Sequence, residues 1–202
     1  MKVKFCFTVC LVIAQFNVMF NLQAFHSQDV ITRKGPDYFK GELAPDFSLN
    51  DSVDKMHSLK DYSGKKVILC FFEYERLDEF QSNVEKVDIL RQLHVLQDTY
   101  AQLQKYNFEV VAITPSSKKI LETFNRTYRF PFVLLSDKDR RVALSYGVTE
   151  FGLVARSTLI IDERGVVVNV ILSDEASDHL TEIFFYVLQQ VGMPLQKNEK
   201  RE

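Results

Sequence analysis

Three cysteines, four histidines and one short acidic run are the side chains that could carry chemistry in this chain of 202 residues. Cys6 and Cys10 stand near the start, and from Phe71 to Glu202 there is no cysteine at all. Cys70 is therefore the one thiol beyond residue 10. Alone, it cannot close an internal disulfide or found a cysteine-type zinc site. As a nucleophile it would need a lowered pKa, which takes a cation or a helix N-terminus beside it. Its neighbours in Val67-Ile68-Leu69-Cys70-Phe71-Phe72 are apolar. The favoured reading is a small core side chain made inert by burial, and the alternative is a displaced nucleophile.

Glu73, Glu75, Asp78 and Glu79 follow directly. They could form a cation site or an acid/base pair. The favoured reading is negative charge at the start of a helix, where the backbone dipole welcomes it. His26, His57, His94 and His179 are scattered, and no two share the spacing of one helix face. They are expected at the surface or partly buried rather than on a metal. No metal and no cofactor is implied.

The elements that must position these residues alternate. Val67 to Glu73 is a continuous apolar run bounded by turn residues, which predicts a central strand buried on both faces. Asp78 to Tyr106 has apolar residues spaced by three and four, which predicts a long amphipathic helix. Phe108 to Thr114 is a second buried strand, Lys118 to Tyr128 a helix capped by Ser116 or Ser117, and Phe132 to Leu135 a strand. Asp139 to Tyr146 is a short helix ending at Gly147. Ser157 to Asp162 and Val166 to Leu172 form a hairpin around Gly165. A last helix, capped by Ser177 or Asp178, runs through Val191. This order of strands and helices predicts an α/β, thioredoxin-like three-layer sandwich with a central mixed sheet.

Composition agrees with a packed domain: 46% of residues are hydrophobic and 26% charged, which excludes a disordered chain. The net charge of -2 comes with no basic run interleaved with aromatics, so no nucleic-acid partner is expected. Residues 1–24 read as a secretory signal peptide. Lys2 and Lys4 form its basic start, Phe5 to Ala14 is too short to span a membrane, and Leu22-Gln23-Ala24 offers a cleavage site. An uncleaved anchor is the alternative. Residues 25–42 read as a linker or short transit segment, 43–195 as the folded domain and 196–202 as a loose charged tail. Phe25, directly after the cut, is similar to the start of bipartite presequences that lead to plastids. The expected location is the secretory pathway or outside the cytosol, with a plastid as the alternative, and no membrane association in the mature form. Asn50-Asp51-Ser52 and Asn125-Arg126-Thr127 match the glycosylation sequon.

Specific segments carry a family resemblance. Ala44-Pro45-Asp46-Phe47, Leu59-Lys60-Asp61-Tyr62-Ser63-Gly64-Lys65, Val110-Val111-Ala112-Ile113-Thr114, Phe130-Pro131-Phe132 through Asp137, Tyr146-Gly147-Val148 and Arg156-Ser157-Thr158-Leu159-Ile160-Ile161-Asp162 with Gly165 occur in that order. The stretch from Leu43 to Gly192 thereby resembles the alkyl hydroperoxide reductase C/thiol-specific antioxidant peroxiredoxins, nearest to the bacterioferritin-comigratory or Q type. The resemblance implies a thiol peroxidase with a Pro, a Thr and a Cys after the central strand and a distant Arg. A thiolate attacks the peroxide, while Thr and Arg steady the charge that develops.

The chain departs from that pattern. Counting forward from the strand puts Glu73 at the Pro, Leu77 at the Thr and Phe80 at the Cys. Counting back from the second strand puts the Cys position near Ile89, because the segment is longer than usual by about nine residues, or two to three helical turns. Neither count meets a thiol. Arg156 alone remains of the implied set, either as an anion or carboxylate binder or as a structural fork pairing with an acid. The expectation is a family member that has lost the reaction and serves binding, assembly or regulation. Its partner would be a protein or a second copy, met through the long 78–106 helix. The alternative is a peroxidase with a relocated site, using Cys70 or a partner's thiol and a thioredoxin-type reductant.

Overall fold

The computed structural model describes residues 35–73, 83–172 and 176–191. The expected helix start at 78–82 and the segments 1–34 and 192–202 lie outside the described residues. Nine strands are described: β1 (Ser48–Asn50), β2 (Met56–Ser58), β3 (Lys66–Phe71), β4 (Phe108–Thr114), β5 (Val133–Ser136), β6 (Thr149–Glu150), β7 (Leu153–Val154), β8 (Ser157–Ile161) and β9 (Val167–Leu172). The α-helices are α1 (Asn83–Lys105), α2 (Lys118–Tyr128), α3 (Arg141–Ser145) and α4 (Ala176–Gln190).

Seven strands form one mixed sheet in the order β2-β1-β5-β4-β3-β8-β9. β3, β4 and β5 run parallel, joined by α1 and α2, and β8 and β9 add antiparallel at one side. β3 lies inside the sheet between β4 and β8, and the period-two alternation of its side chains builds both cores. Ile68 and Cys70, with Phe72 beyond them, face the layer that holds Leu93 and Leu96 of α1, Leu121 and Phe124 of α2 and Ile183 of α4. Val67, Leu69 and Phe71 face the opposite layer, with Val142 and Ala143 of α3, Tyr62, Phe47 and Tyr146. This is the expected three-layer, thioredoxin-like architecture.

The quoted motifs have local physical work. Tyr146 is fully buried, and its hydroxyl donates to the Pro45 carbonyl (2.5 Å), which ties the domain entry to the second core. Burial pushes its phenol pKa well up, with Asp46 adding to the shift. Asp61 accepts the Ser58 N–H (2.8 Å) and closes a capping box on the 3-10 turn Leu59–Tyr62. Asp137 accepts the N–H groups of Val142 (3.2 Å) and Ala143 (2.8 Å) and starts α3. Gly41 and Glu42 hydrogen-bond to Val167 along the start of β9, so ordered pairing begins just before residue 43.

Boundaries differ in small, explicable ways. β3 ends at Phe71 rather than Glu73, because its partner β8 begins at Ser157, opposite Phe71. α4 starts at Ala176, ahead of the expected caps Ser177 and Asp178. Ser117 does sit at the N-cap of α2 but makes no side-chain capping bond. The β6–β7 hairpin has strands of two residues each, too short to leave a period in the sequence.

The β8–β9 turn depends on Asp162. Its carboxylate accepts the N–H groups of Arg164 and Val166 (2.9 Å each) and the Arg164 guanidinium (2.8 and 2.9 Å). Burial acts to raise the Asp162 pKa, but the Val166 and Arg164 bonds outweigh it and hold the carboxyl below its ordinary value. A lowered folded pKa adds stability above the unfolded pKa and loses it as pH falls through the folded one. Asp162→Ala should therefore cost about 1–2 kcal/mol at neutral pH. That difference should shrink below about pH 4, as urea melts of both proteins across the range would show.

Candidate functional site

The carboxyl end of β3 is where a buried strand releases the chain toward α1. Phe72 still donates its N–H to Ile113 (3.2 Å), so the ladder to β4 carries one residue past the strand. Glu73 comes next and is 7% exposed. A carboxylate taken out of water here needs a partner, because unpaired burial costs several kcal/mol. It has two. Arg140 Nη2 donates to both of its oxygens at 3.2 and 3.4 Å, and the Val154 N–H donates to Oε2 at 3.1 Å.

Each partner is delivered by a tight turn. Asp137 O accepts the Arg140 N–H (2.8 Å), which closes the turn before α3. Arg140 sits in the left-handed region at φ 55, a conformation that costs a non-glycine residue about 1 kcal/mol. Val154 is the last residue of β7, in the hairpin turned by Phe151 (φ 47) and Gly152 (φ 79). Glu73 thus joins β3, the α3 entry and the β6–β7 hairpin at one point.

The expected acidic cluster resolves differently from the helix-dipole reading. Glu73 is one half of a buried ion pair, and its partner is 67 residues away. Glu75, Asp78 and Glu79 lie outside the described residues, as do Leu77 and Phe80, the counted Thr and Cys positions. Ile89, the other counted position, is on α1 and packs in the hydrocarbon core. Arg156 stands half-buried in the residue before β8, two positions after Val154.

Cys70 is 1% exposed in the core of the sheet. The Thr158 hydroxyl donates to its sulfur (3.5 Å) and lies 2.7 Å from His179 Nε2. Burial pushes the Cys70 thiol up to about 11, and the Thr158 bond offsets only part of the rise. A thiol held protonated at neutral pH and sealed from solvent is a poor nucleophile.

The histidines correct an expectation. His179 is fully buried and His57 is 7% exposed, so neither is a surface residue. His179 bridges α4 to β8 through Thr158, and His57 Nε2 lies 3.1 Å from Asp51 Oδ2. Burial alone would raise the Asp51 pKa, but the His57 bond and the N–H groups of Val53 and Lys55 lower it overall. His94 is exposed and donates from Nδ1 to Leu90 O (2.7 Å). Among the described residues no group of three or more His, Cys, Asp or Glu could hold a metal ion. The two sequons meet: Asn125 Nδ2 donates to Ser52 Oγ (2.8 Å), which pins α2 to the β1–β2 loop.

Sequence reasoning missed Arg140, Val154, Thr158 and His179 as partners. The one local signal was the turn Asp139-Arg140-Arg141, whose adjacent arginines exceed what a short surface helix needs.

Comparison with known proteins places the chain in a family. A model of the AhpC/TSA family matches residues 40–170. A bcp-type peroxiredoxin of Coxiella burnetii is 33% identical over 151 residues, which are 71% of this chain and 94% of the relative. The chloroplastic peroxiredoxin Q of Triticum aestivum is 33% identical over 131 residues, 63% of this chain, and the match spans 56% of that protein's length. Among solved structures, peroxidoxin BcpB of Mycobacterium tuberculosis superposes with a TM-score of 0.62 at 21% identity, covering 78% of this chain and 98% of its own. That last likeness speaks to the fold.

Two outcomes follow from the site's geometry. Glu73→Ala leaves Arg140 facing a void and should destabilise the domain by about 3 kcal/mol, measured by chemical denaturation. Cys70 should resist an aromatic disulfide reagent in the native protein and react fully in 6 M guanidinium.

Proposed function

This chain belongs to the AhpC/TSA family of peroxiredoxins, in the bacterioferritin-comigratory/Q branch, and from that premise we propose that it is a member without thiol peroxidase activity that serves binding, assembly or regulation. The observation that carries the reading is the Glu73–Arg140 pair at the end of β3, in a chain with no cysteine after Cys70. In the family reaction a thiolate attacks one peroxide oxygen, the O–O bond breaks, and the sulfur leaves oxidised as a sulfenic acid while water or an alcohol departs. A carboxylate cannot take that oxidation. At the position counted for the proline, Glu73 instead neutralises an arginine.

The expanded connection after β3 supports the binding role. α1 carries Val87, half exposed, and the turn after it carries Tyr106, 40% exposed; these apolar residues suit contact with a protein partner or a second copy of the chain. A plastid address is supported by the chloroplastic relatives of the Q branch. The segment 1–24 keeps the features of a secretory signal, and the two together describe a presequence read in two steps.

A second reading has one observation in its favour. Thr158 donates to Cys70 sulfur, as an activating hydroxyl would. In that reading Cys70, or a thiol from a partner, reduces peroxide and a thioredoxin-type protein restores it. The raised thiol pKa and the complete burial weigh against it.

Consumption of hydrogen peroxide and of cumene hydroperoxide by the purified protein separates the two, with dithiothreitol or thioredoxin as reductant. The proposal expects no consumption above the protein-free blank. Turnover that disappears in Cys70→Ser, with the fold intact by circular dichroism, would establish the relocated site instead.

A further inference from the structure

Arg140 is used incompletely. A guanidinium meets a carboxylate best side-on, through two nitrogens and two parallel bonds. Here Nη2 alone serves both Glu73 oxygens, at 3.2 and 3.4 Å. Nε, the other arm of that fork, is buried and has no hydrogen-bond acceptor among the described residues. Buried donors are seldom left empty in folded proteins. Glu73 cannot rotate to fill the fork, because Oε2 is also held by the Val154 N–H at 3.1 Å. The carboxylate is shared between two donors, and it satisfies the Val154 N–H while leaving Arg140 Nε bare among the described residues.

We propose that the Arg140 guanidinium is a recognition site for a small carboxylate, with Glu73 as its built-in occupant. A ligand carboxylate that takes the Nε/Nη2 fork makes two parallel bonds where Glu73 makes a one-nitrogen contact. Glu73 then turns outward and carries its own charge back to water. The net charge at Arg140 is unchanged by the exchange, so no charge is left buried and unpaired.

The exchange has a mechanical consequence. Without Glu73, the Val154 N–H loses its acceptor and the β6–β7 hairpin loses its tie to β3. The tip of that hairpin is Phe151, 93% exposed and held at φ 47. Phe151 and Gly152 form the two-residue turn between β6 and β7, so a change at Val154 reaches them through that short hairpin. Ligand binding at Arg140 and the position of Phe151 are therefore coupled.

This inference rests on the reading that the strand end is a binding site, yet the two fail separately: peroxide turnover would sink that reading, and indifference to carboxylate would sink this one. The test is an amide-resolved NMR titration of the full chain with sodium acetate, against sodium chloride at equal ionic strength. A second arm uses acetyl-triglycine with a free or an amidated C-terminus. Acetate should move the Val154, Phe151 and Gly152 amides along a saturating curve that chloride does not reproduce. Glu73→Gln, which keeps an oxygen for Val154 but removes the competing charge, should tighten acetate about tenfold, and Arg140→Lys, which keeps the charge but removes the fork, should weaken it about as much. A stronger response to the free peptide than to acetate assigns the carboxylate to a chain terminus; the reverse assigns it to a free acid. Equal responses to acetate and chloride in the native protein and in Glu73→Gln (or Glu73→Asp, should the glutamine variant not fold) would overturn the proposal, as would unchanged affinity in Arg140→Lys.

Discussion

A carboxylate placed two residues past a fully buried strand has to be neutralised, and that requirement organises one whole end of this molecule. β3 is apolar on both faces because it feeds two cores. Among the described residues the partners of Glu73 come from far along the chain. Arg140 supplies the charge from a strained turn, and Val154 supplies an N–H from a hairpin of minimal strands. Three otherwise separate elements are fixed by one side chain.

The same arrangement separates the scaffold from the chemistry. The family fold needs a buried β3, parallel neighbours and the β8–β9 hairpin, and all of these are built from hydrocarbon, turn residues and capping carboxylates such as Asp137 and Asp162. None of them depends on a reactive thiol. The fold is therefore compatible with the loss of the peroxidase site that we propose, provided that the side chains at that place tolerate burial. A paired glutamate meets that condition; an unpaired one would not. Cys70 survives for a different reason. It fills a small core position under Thr158 and His179, where its sulfur accepts a weak hydrogen bond and its size suits the packing.

Much of this architecture was legible in the sequence. β4 and α2 were readable to the residue, since an apolar run and a three-four spacing are local signals. The burial of Cys70 followed from its apolar neighbours alone. What was not legible depended on distance. Arg140 and Glu73 are 67 positions apart, and no local pattern links them. His179 looks like a polar residue on an amphipathic helix, yet it is fully buried because Thr158 on β8 gives its ring nitrogen a partner. The β6–β7 hairpin, with two residues per strand, left only Phe151-Gly152 as a trace.

The central claim of the proposal is that Cys70 does not react with peroxide in the folded protein. Intact-mass spectrometry of the native chain lacking residues 1–24, before and after exposure to excess hydrogen peroxide, tests it directly. The account predicts no oxygen added to Cys70, because the sulfur is buried and protonated. Rapid oxidation of Cys70 in the folded protein, reversed by dithiothreitol, would contradict it and return the chain to the peroxidases.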